Sequence, residues 1–222
     1  VEMRARYAGT ALGLQELDGL VLEDVDGALW TREMLQTCRA GRKDDPDRIV
    51  VAIDTPAGDG KSEDACGIVV AGVVQAGPPQ DWRAVVLEDA SVQGTSPTGW
   101  AQAAVDAAAR WQADRVVAEV NQGGAMVEAL LRQVAPTLPV RKVHATRGKS
   151  ARAEPVAALY EQGRVKHAPG LDALESQMCL MTGAGFAGQG SPDRVDALVW
   201  ALSDLMLDSA QGWRKPQLRI LS

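Results

Sequence analysis

The stretch RIVVAID, Arg48 to Asp54, is apolar without interruption from Ile49 to Ile53 and then ends on a carboxylate. Its length and its β-branched residues are those of a central strand buried on both faces. An ionised carboxylate at the end of such a strand is costly to bury unless something positive meets it. Asp54 is therefore either a turn residue, which the following Thr-Pro would suit, or one of several acids gathered round a cation.

Two further apolar runs follow, ACGIVVAGVVQ (65–75) and WRAVVLEDAS (82–91), separated only by AGPPQD. So short a break reads as an antiparallel meander with the first strand. The period then changes to that of a helix in SPTGWAQAAVDAAARW (96–111), with Trp100, Ala104, Ala107 or Ala108, and Trp111 on one side. DRVVAEV (114–120) is strand again, GAMVEALLRQVA (124–135) a helix ending before Pro136, and LPVRKVHA (138–145) a short strand. ARAEPVAALYEQG (151–163) reads as a helix stopped at Gly163, RVKHA (164–168) as an edge strand, and LDALESQMCLM (171–181) as a helix. TGAGFAGQG (182–190) reads as a flexible loop. The last helix, within SPDRVDALVWALSDLM (191–206), is expected to take Ser191 as its N-cap and Pro192 as its first residue. Strands joined through helices must run parallel, so the pattern predicts a mixed α/β sheet covered on both faces. In such sheets chemistry collects at strand ends near the topological switch, where Asp54 and Glu119 fall.

Composition narrows the class. The 222 residues suit one domain with appended arms, or two small ones, and 46% hydrophobic residues can fill a sizeable core. Residues 1–47, with few periodic runs and a polar end at AGRKDDPD, read as an arm or linker. Residues 48–208 read as the domain proper, and 209–222 as a tail. No apolar stretch approaches the roughly 20 residues of a membrane span. Cys38, Cys66 and Cys179 are odd in number and far apart, which argues against a disulfide framework and a zinc site and for a reducing cytoplasm. The net charge of −6 sits poorly with a nucleic-acid partner, but residues 141–167 carry seven basic and two acidic side chains. That local excess is compatible with a DNA-facing surface or with a solvated one.

Glu119 resists a bland reading, because Glu is a poor strand former and a Gly-rich turn follows it. Asp193 has an ordinary alternative, since carboxylates near a helix N-terminus are favoured by the macrodipole. Asp196, three residues on, shares its face. Arg147, Lys149 and Arg152 surround Gly148 in what reads as a phosphate-contacting loop, with Lys142 beside it; a solvated loop is the alternative. His144 and His167 are isolated, which favours surface or core roles over metal binding. GDGKS (58–62) lacks the first glycine of a phosphate-binding loop, Thr55 standing in its place, and reads as a polar hairpin loop.

Four ordered segments carry a resemblance: VAIDTPAG (51–58), DRVVAEVNQGGAMV (114–127), KVHATRGKSARAEPVAALYEQGRVKH (142–167) and SPDRVDALVWAL (191–202). Together they resemble the nuclease domain of the large terminase subunit of tailed bacteriophages, especially the versions in prophages and gene transfer agents of alphaproteobacteria. The similarity covers roughly residues 48–207. It implies an RNase H-like fold related to Holliday-junction resolvases, and two-metal cleavage of double-stranded DNA concatemers during genome packaging. The family's acidic positions fall on Asp54, Glu119 and the pair Asp193 and Asp196. The resemblance further implies the small terminase subunit and the portal protein as partners, no membrane, and the cytoplasm of the bacterial host. Full-length members begin with a packaging ATPase; residues 1–47 would be the end of the region joining it, and no ATPase activity is expected of this chain.

Two divalent ions about 3.5–4 Å apart activate a water, stabilise the phosphorane-like oxygens and assist the leaving oxygen. On this reading, with Mg²⁺ or Mn²⁺, Asp54 bridges both ions, Glu119 holds one, Asp193 the other, and Asp196 assists. The competing readings are a junction-resolvase-like nuclease, which would need a dimer and branched DNA, and a non-catalytic module that docks DNA or the portal.

Overall fold

In the computed structural model, which describes residues 24–39, 45–55, 65–120 and 124–213, the run at 48–54 is an inner strand, β1 (Arg48–Asp54), of a seven-stranded sheet. β2 (Ala65–Val74) and β3 (Arg83–Asp89) follow it antiparallel, as the meander pattern predicts. A two-residue β4 (Val92–Gln93) pairs with the start of β2. β5 (Arg115–Glu119) and β6 (Val140–Val143) add parallel on the far side of β1, and β7 (Val165–His167) adds parallel to β3. The resulting order is β6-β5-β1-β2-β3-β7.

Alternation along the strands divides the core in two. Val51, Ile53, Ile68 and Val70 pack against α2 (Pro97–Trp111) and α3 (Gly124–Val134), through Trp100, Ala104, Ala107, Val127 and Leu131. Val50, Ala52, Val69, Ala71 and Val73 pack with α4 (Lys149–Glu161), α5 (Asp172–Met178) and α6 (Asp193–Leu202). A continuous run covered on both faces is what a buried inner strand requires. Beyond α6 the chain continues through a π-helical turn, Ser203–Asp208. There the buried Asp204 receives Arg115 at 2.8 Å and Arg141 as well, which fixes the end of α6 to the start of β5.

Three local readings are corrected. Residues 24–39, within the expected arm, dock on the core: α1 (Arg32–Cys38) buries Leu35 and Cys38, and Trp30 is fully buried edge-on to Tyr160. The segment 182–190 is not wholly loop, since β8 (Met181–Thr182) pairs with β9 (Gly185–Phe186). The Thr182 hydroxyl closes that hairpin by accepting from the Ala184 N–H and donating to the Gly185 carbonyl. The third is the start of α6, at Asp193 rather than Pro192. The GDGKS segment lies outside the described residues. Cys38, Cys66 and Cys179 are buried and unpaired, and no described helix is long and apolar enough to cross a membrane.

Candidate metal centre

β1 and β5 run parallel with Ile53 opposite Ala118, so their next residues, Asp54 and Glu119, emerge side by side at the same end of the sheet. Asp54 is only 8% exposed. α6 brings the other two acids to that end. Its first turn has no side-chain cap of its own, Pro192 being the N-cap residue. Instead Gln177 of α5 accepts the Val195 N–H at 3.1 Å, and Arg194 grips Asp89 at the end of β3 at 2.8 Å. Orphan N–H groups at a helix start need such a partner.

Gly67 completes the placement. It faces Asp54 across the β1–β2 ladder, and the backbone carbonyl of Asp193 rests against it. A glycine is required because the approach is closer than any Cβ permits. Asp196, one turn into α6, is 2% exposed and lies deeper than Asp193.

The cations come from α4, which begins at Lys149, two residues before the sequence-based start. Lys149 and Arg152 are therefore not loop residues; three apart, they share a face of the first helical turns. Lys149 binds Asp196 directly and donates to the Ser191 hydroxyl at 3.0 Å. Arg152 donates to Glu119 at 3.2 Å and to Asp196 at 3.4 Å. A cation in the first turn of a helix opposes the macrodipole. The acids opposite offset that penalty, and such a local conflict is what a functional site commonly carries. Arg152 lies over the Trp200 ring, 4.6 Å from its centroid, and its Nε is buried without a partner. The Trp200 indole N–H donates to Glu119 Oε2 at 2.7 Å.

Electrostatics agree with the geometry. Burial, followed by repulsion from Asp196, pushes the Asp54 carboxyl well above its usual range, Lys149 opposing and Glu119 and Asp193 adding smaller shares. Burial also raises Asp193, against a hydrogen bond from Ser191, and raises Asp196, against Lys149 and Arg152. Carboxyls held high by burial and by one another gain most from a cation that enters among them.

All four acids offer oxygen donors, the set that suits a hard divalent cation. Among the described residues no three His, Cys, Asp or Glu side chains converge closely enough to coordinate an ion, since Glu119 and Asp196 turn toward Lys149 and Arg152. The donor chemistry fits a metal. Coordination requires these two carboxylates to exchange Lys149 and Arg152 for it.

The four acids singled out in the sequence are thus gathered at one end of the sheet, with Lys149 and Arg152 among them. Lys142 lies apart, paired with Glu128 of α3 at 2.9 Å, and Arg147 is exposed on the approach to α4. His144 is exposed, while His167 is buried between the Tyr160 hydroxyl and Glu175. Sequence reading passed over Gly67, Gln177 and Trp200. A glycine inside a strand pattern is the only local signal any of them gave.

Comparison with known proteins agrees with this architecture. Residues 51–205 match the family model described as the terminase RNaseH-like domain. The nuclease domain of the large terminase subunit gp2 of bacterial virus Sf6 superposes with a TM-score of 0.57 at 14% identity, covering 79% of this chain and 98% of that one. The large terminase nuclease of thermophilic phage G20c gives a TM-score of 0.53 at 15% identity, over 81% of this chain and 99% of that one. The HK97 bacteriophage large terminase gives 0.56 at 13% identity, over 80% of this chain but only 43% of its own length. At these identities the likeness establishes the fold. No curated protein sequence matches the chain.

Proposed function

The chain belongs to the terminase RNase H-like domain family, and from that premise we propose that it is a divalent-metal-dependent endonuclease cutting double-stranded DNA concatemers during genome packaging. The observation that carries the reading is the convergence of Asp54, Glu119, Asp193 and Asp196, from three separate parts of the chain, at one end of the sheet beside Lys149 and Arg152. The G20c nuclease has been solved with bound magnesium and with bound cobalt, and the like chemistry is proposed here with Mg²⁺ or Mn²⁺.

When bound, the two ions supply an activated water and stabilise charge on the phosphate oxygens. Asp54 and Asp196, the most buried of these four acids, would be the central ligands. Glu119 and Asp193 complete the set from either side. This order reverses the sequence-based assignment, in which Asp193 held the ion and Asp196 assisted. Lys149 and Arg152 would then be free to meet phosphate oxygens, and the exposed Arg147 would extend the contact along the backbone, with Lys142, held by Glu128, contributing less. The DNA-facing end is therefore the end of β1 and β5. Within the packaging complex, in the cytoplasm of the bacterial host, the small terminase subunit and the portal are the proposed partners.

Incubating supercoiled plasmid with the purified chain and Mg²⁺, Mn²⁺ or chelator, without ATP, tests this. Nicking and linearisation in both metals and none in chelator is the expected result. Absence of cleavage under every metal, with DNA binding retained, would instead favour a docking module.

A further inference from the structure

Trp200 makes an interaction that packing alone does not require. Its indole N–H donates to Glu119 Oε2 at 2.7 Å, and Arg152 donates to that same oxygen at 3.2 Å. The Arg152 guanidinium lies over the Trp200 ring, so indole, carboxylate and guanidinium form a closed group of three. Trp200 lies one turn beyond Asp196 on α6, and Arg152 reaches both, bonding Asp196 at 3.4 Å. Arg152 keeps this position although its Nε is buried without a partner.

Other tryptophans of the chain set this contact in context. Trp82 donates to the neutral Gly77 carbonyl at 3.0 Å, Trp30 Nε1 is buried with no acceptor, and Trp111 donates to Glu88 Oε2, which Arg110 also meets at 3.1 Å. An indole sharing a carboxylate oxygen with an arginine thus recurs in the fold; among these four, Trp200 is the one that places its N–H on an acid of the candidate centre. Two donors on one carboxylate oxygen fix the plane of the group and its rotation about the side-chain axis. Groups that hold a metal ligand from behind tune affinity in this way, and their loss typically weakens metal binding about 10–100-fold.

We propose that Trp200 is a positioning residue: its indole N–H orients the Glu119 carboxylate for the divalent cation, so that metal affinity depends on that one hydrogen bond. The inference rests on the reading of Glu119 as a metal ligand. Arg152 has a different part in the group, since a metal that takes Glu119 and Asp196 displaces it, whereas the Trp200 bond is compatible with a ligated carboxylate.

The test compares wild type, Trp200→Phe and Glu119→Gln by titration calorimetry with Mn²⁺ and Mg²⁺, without DNA. Phe keeps the aromatic face under Arg152 and removes only the donor. The expected result is a roughly tenfold weaker metal affinity for Trp200→Phe, with a metal-free melting temperature within a few degrees of wild type. In cleavage assays the metal concentration for half-maximal rate rises by the same factor, while the rate at saturating metal stays near wild type. A second measurement needs no substitution. In the ¹H–¹⁵N spectrum of the wild-type chain, the Trp200 indole resonance moves on Mg²⁺ addition and that of Trp82 does not. Unchanged metal affinity in Trp200→Phe, or a stationary Trp200 resonance at saturating Mg²⁺, overturns the proposal. If wild type binds metal and Glu119→Gln binds it poorly while Trp200→Phe matches wild type, only the positioning role fails. If wild type itself binds no divalent metal, the metal reading falls with it.

Discussion

A Cβ on Gly67 would lie 1.9 Å from the backbone carbonyl oxygen of Asp193, so the first turn of α6 rests directly on the backbone of β2. Because Gly67 also faces Asp54 in the ladder, this contact sets how closely the acids of α6 approach the acid of β1. The obstructing atoms are backbone and cannot rotate aside. Gly67→Ala should therefore push α6 outward, costing about 1–3 kcal/mol as overpacking usually does, and should reduce metal binding more than a stability loss of that size explains. Urea denaturation together with metal titration checks this. A variant as stable as wild type with normal metal affinity would show that α6 adjusts without moving its acids.

The frame of the fold is legible in the sequence because it rests on local regularities. β1 to β3 are apolar runs of strand length, α2 follows a helical period from Ser96, whose hydroxyl caps the Gly99 N–H at 3.2 Å, and α4 ends before Gly163 at φ +65°. What escaped rests on contacts between distant residues. α1 is seven residues long, too short to show a period, and is held by the burial of Trp30, Leu35 and Cys38. The β8–β9 hairpin hides in a Gly-rich run, and the bridge from Ala28 to Thr182 attaches the arm to it. In the centre, Asp54 and Glu119 could be named from their place at strand ends, and Asp193 and Asp196 from the start of an apolar helix. Their order of depth could not, because it depends on which turn of α6 meets Lys149 and Arg152.

The docked arm yields a pH prediction. Burial pushes the Glu175 carboxyl up, but hydrogen bonds from His167 and Arg39 outweigh it and hold the group below its ordinary 4.5. A depressed carboxyl stabilises the fold above its unfolded value and loses that contribution as pH falls through the lower folded value. Glu175→Gln should be less stable at pH 7 by about 1–2 kcal/mol. Below about pH 4.5 its stability should fall less steeply than that of wild type, by up to about 1.4 kcal/mol per pH unit. Arg39 is more than half exposed, so Arg39→Ala should cost under about 1 kcal/mol. Parallel stability–pH curves for wild type and Glu175→Gln would remove Glu175 from this role.

Salt dependence separates the basic residues. Arg147 is exposed beside the centre, and its replacement by Ala should flatten the log–log salt slope of DNA binding by about 0.9 if it neutralises one phosphate. Lys142 is committed to Glu128, so Lys142→Ala should change the slope less. Filter binding in chelator at several salt concentrations reads both. An Arg147→Ala slope identical to wild type would make that residue merely solvated.

The two acids of α6 should behave differently. Asp196 is almost fully buried, is met by both cations, and of the three acids around Asp54 raises its carboxyl most. Asp193 sits further out and has the smallest influence on Asp54. Removing a central ligand deletes charge that no water replaces, so Asp196→Asn, like Asp54→Asn and Glu119→Gln, should abolish cleavage. Asp193→Asn should retain part of it, most visibly with Mn²⁺. Stability should run the opposite way without metal. Asp54 is crowded by like charge, and Asp54→Asn should raise the metal-free melting temperature by several degrees, a shift typical of about 1 kcal/mol in a domain of this size. The same variant should lose the stabilisation that metal gives wild type, about 2.7 kcal/mol at a hundred times the dissociation constant. Thermal melts with and without 10 mM-scale Mg²⁺, set beside cleavage rates for the four variants, decide the matter. Should Asp193→Asn be inactive while Asp196→Asn cuts, the depth of the buried acid does not set its role. The Lys149–Asp196 pair would then be scaffold for a centre built round Asp54, Glu119 and Asp193.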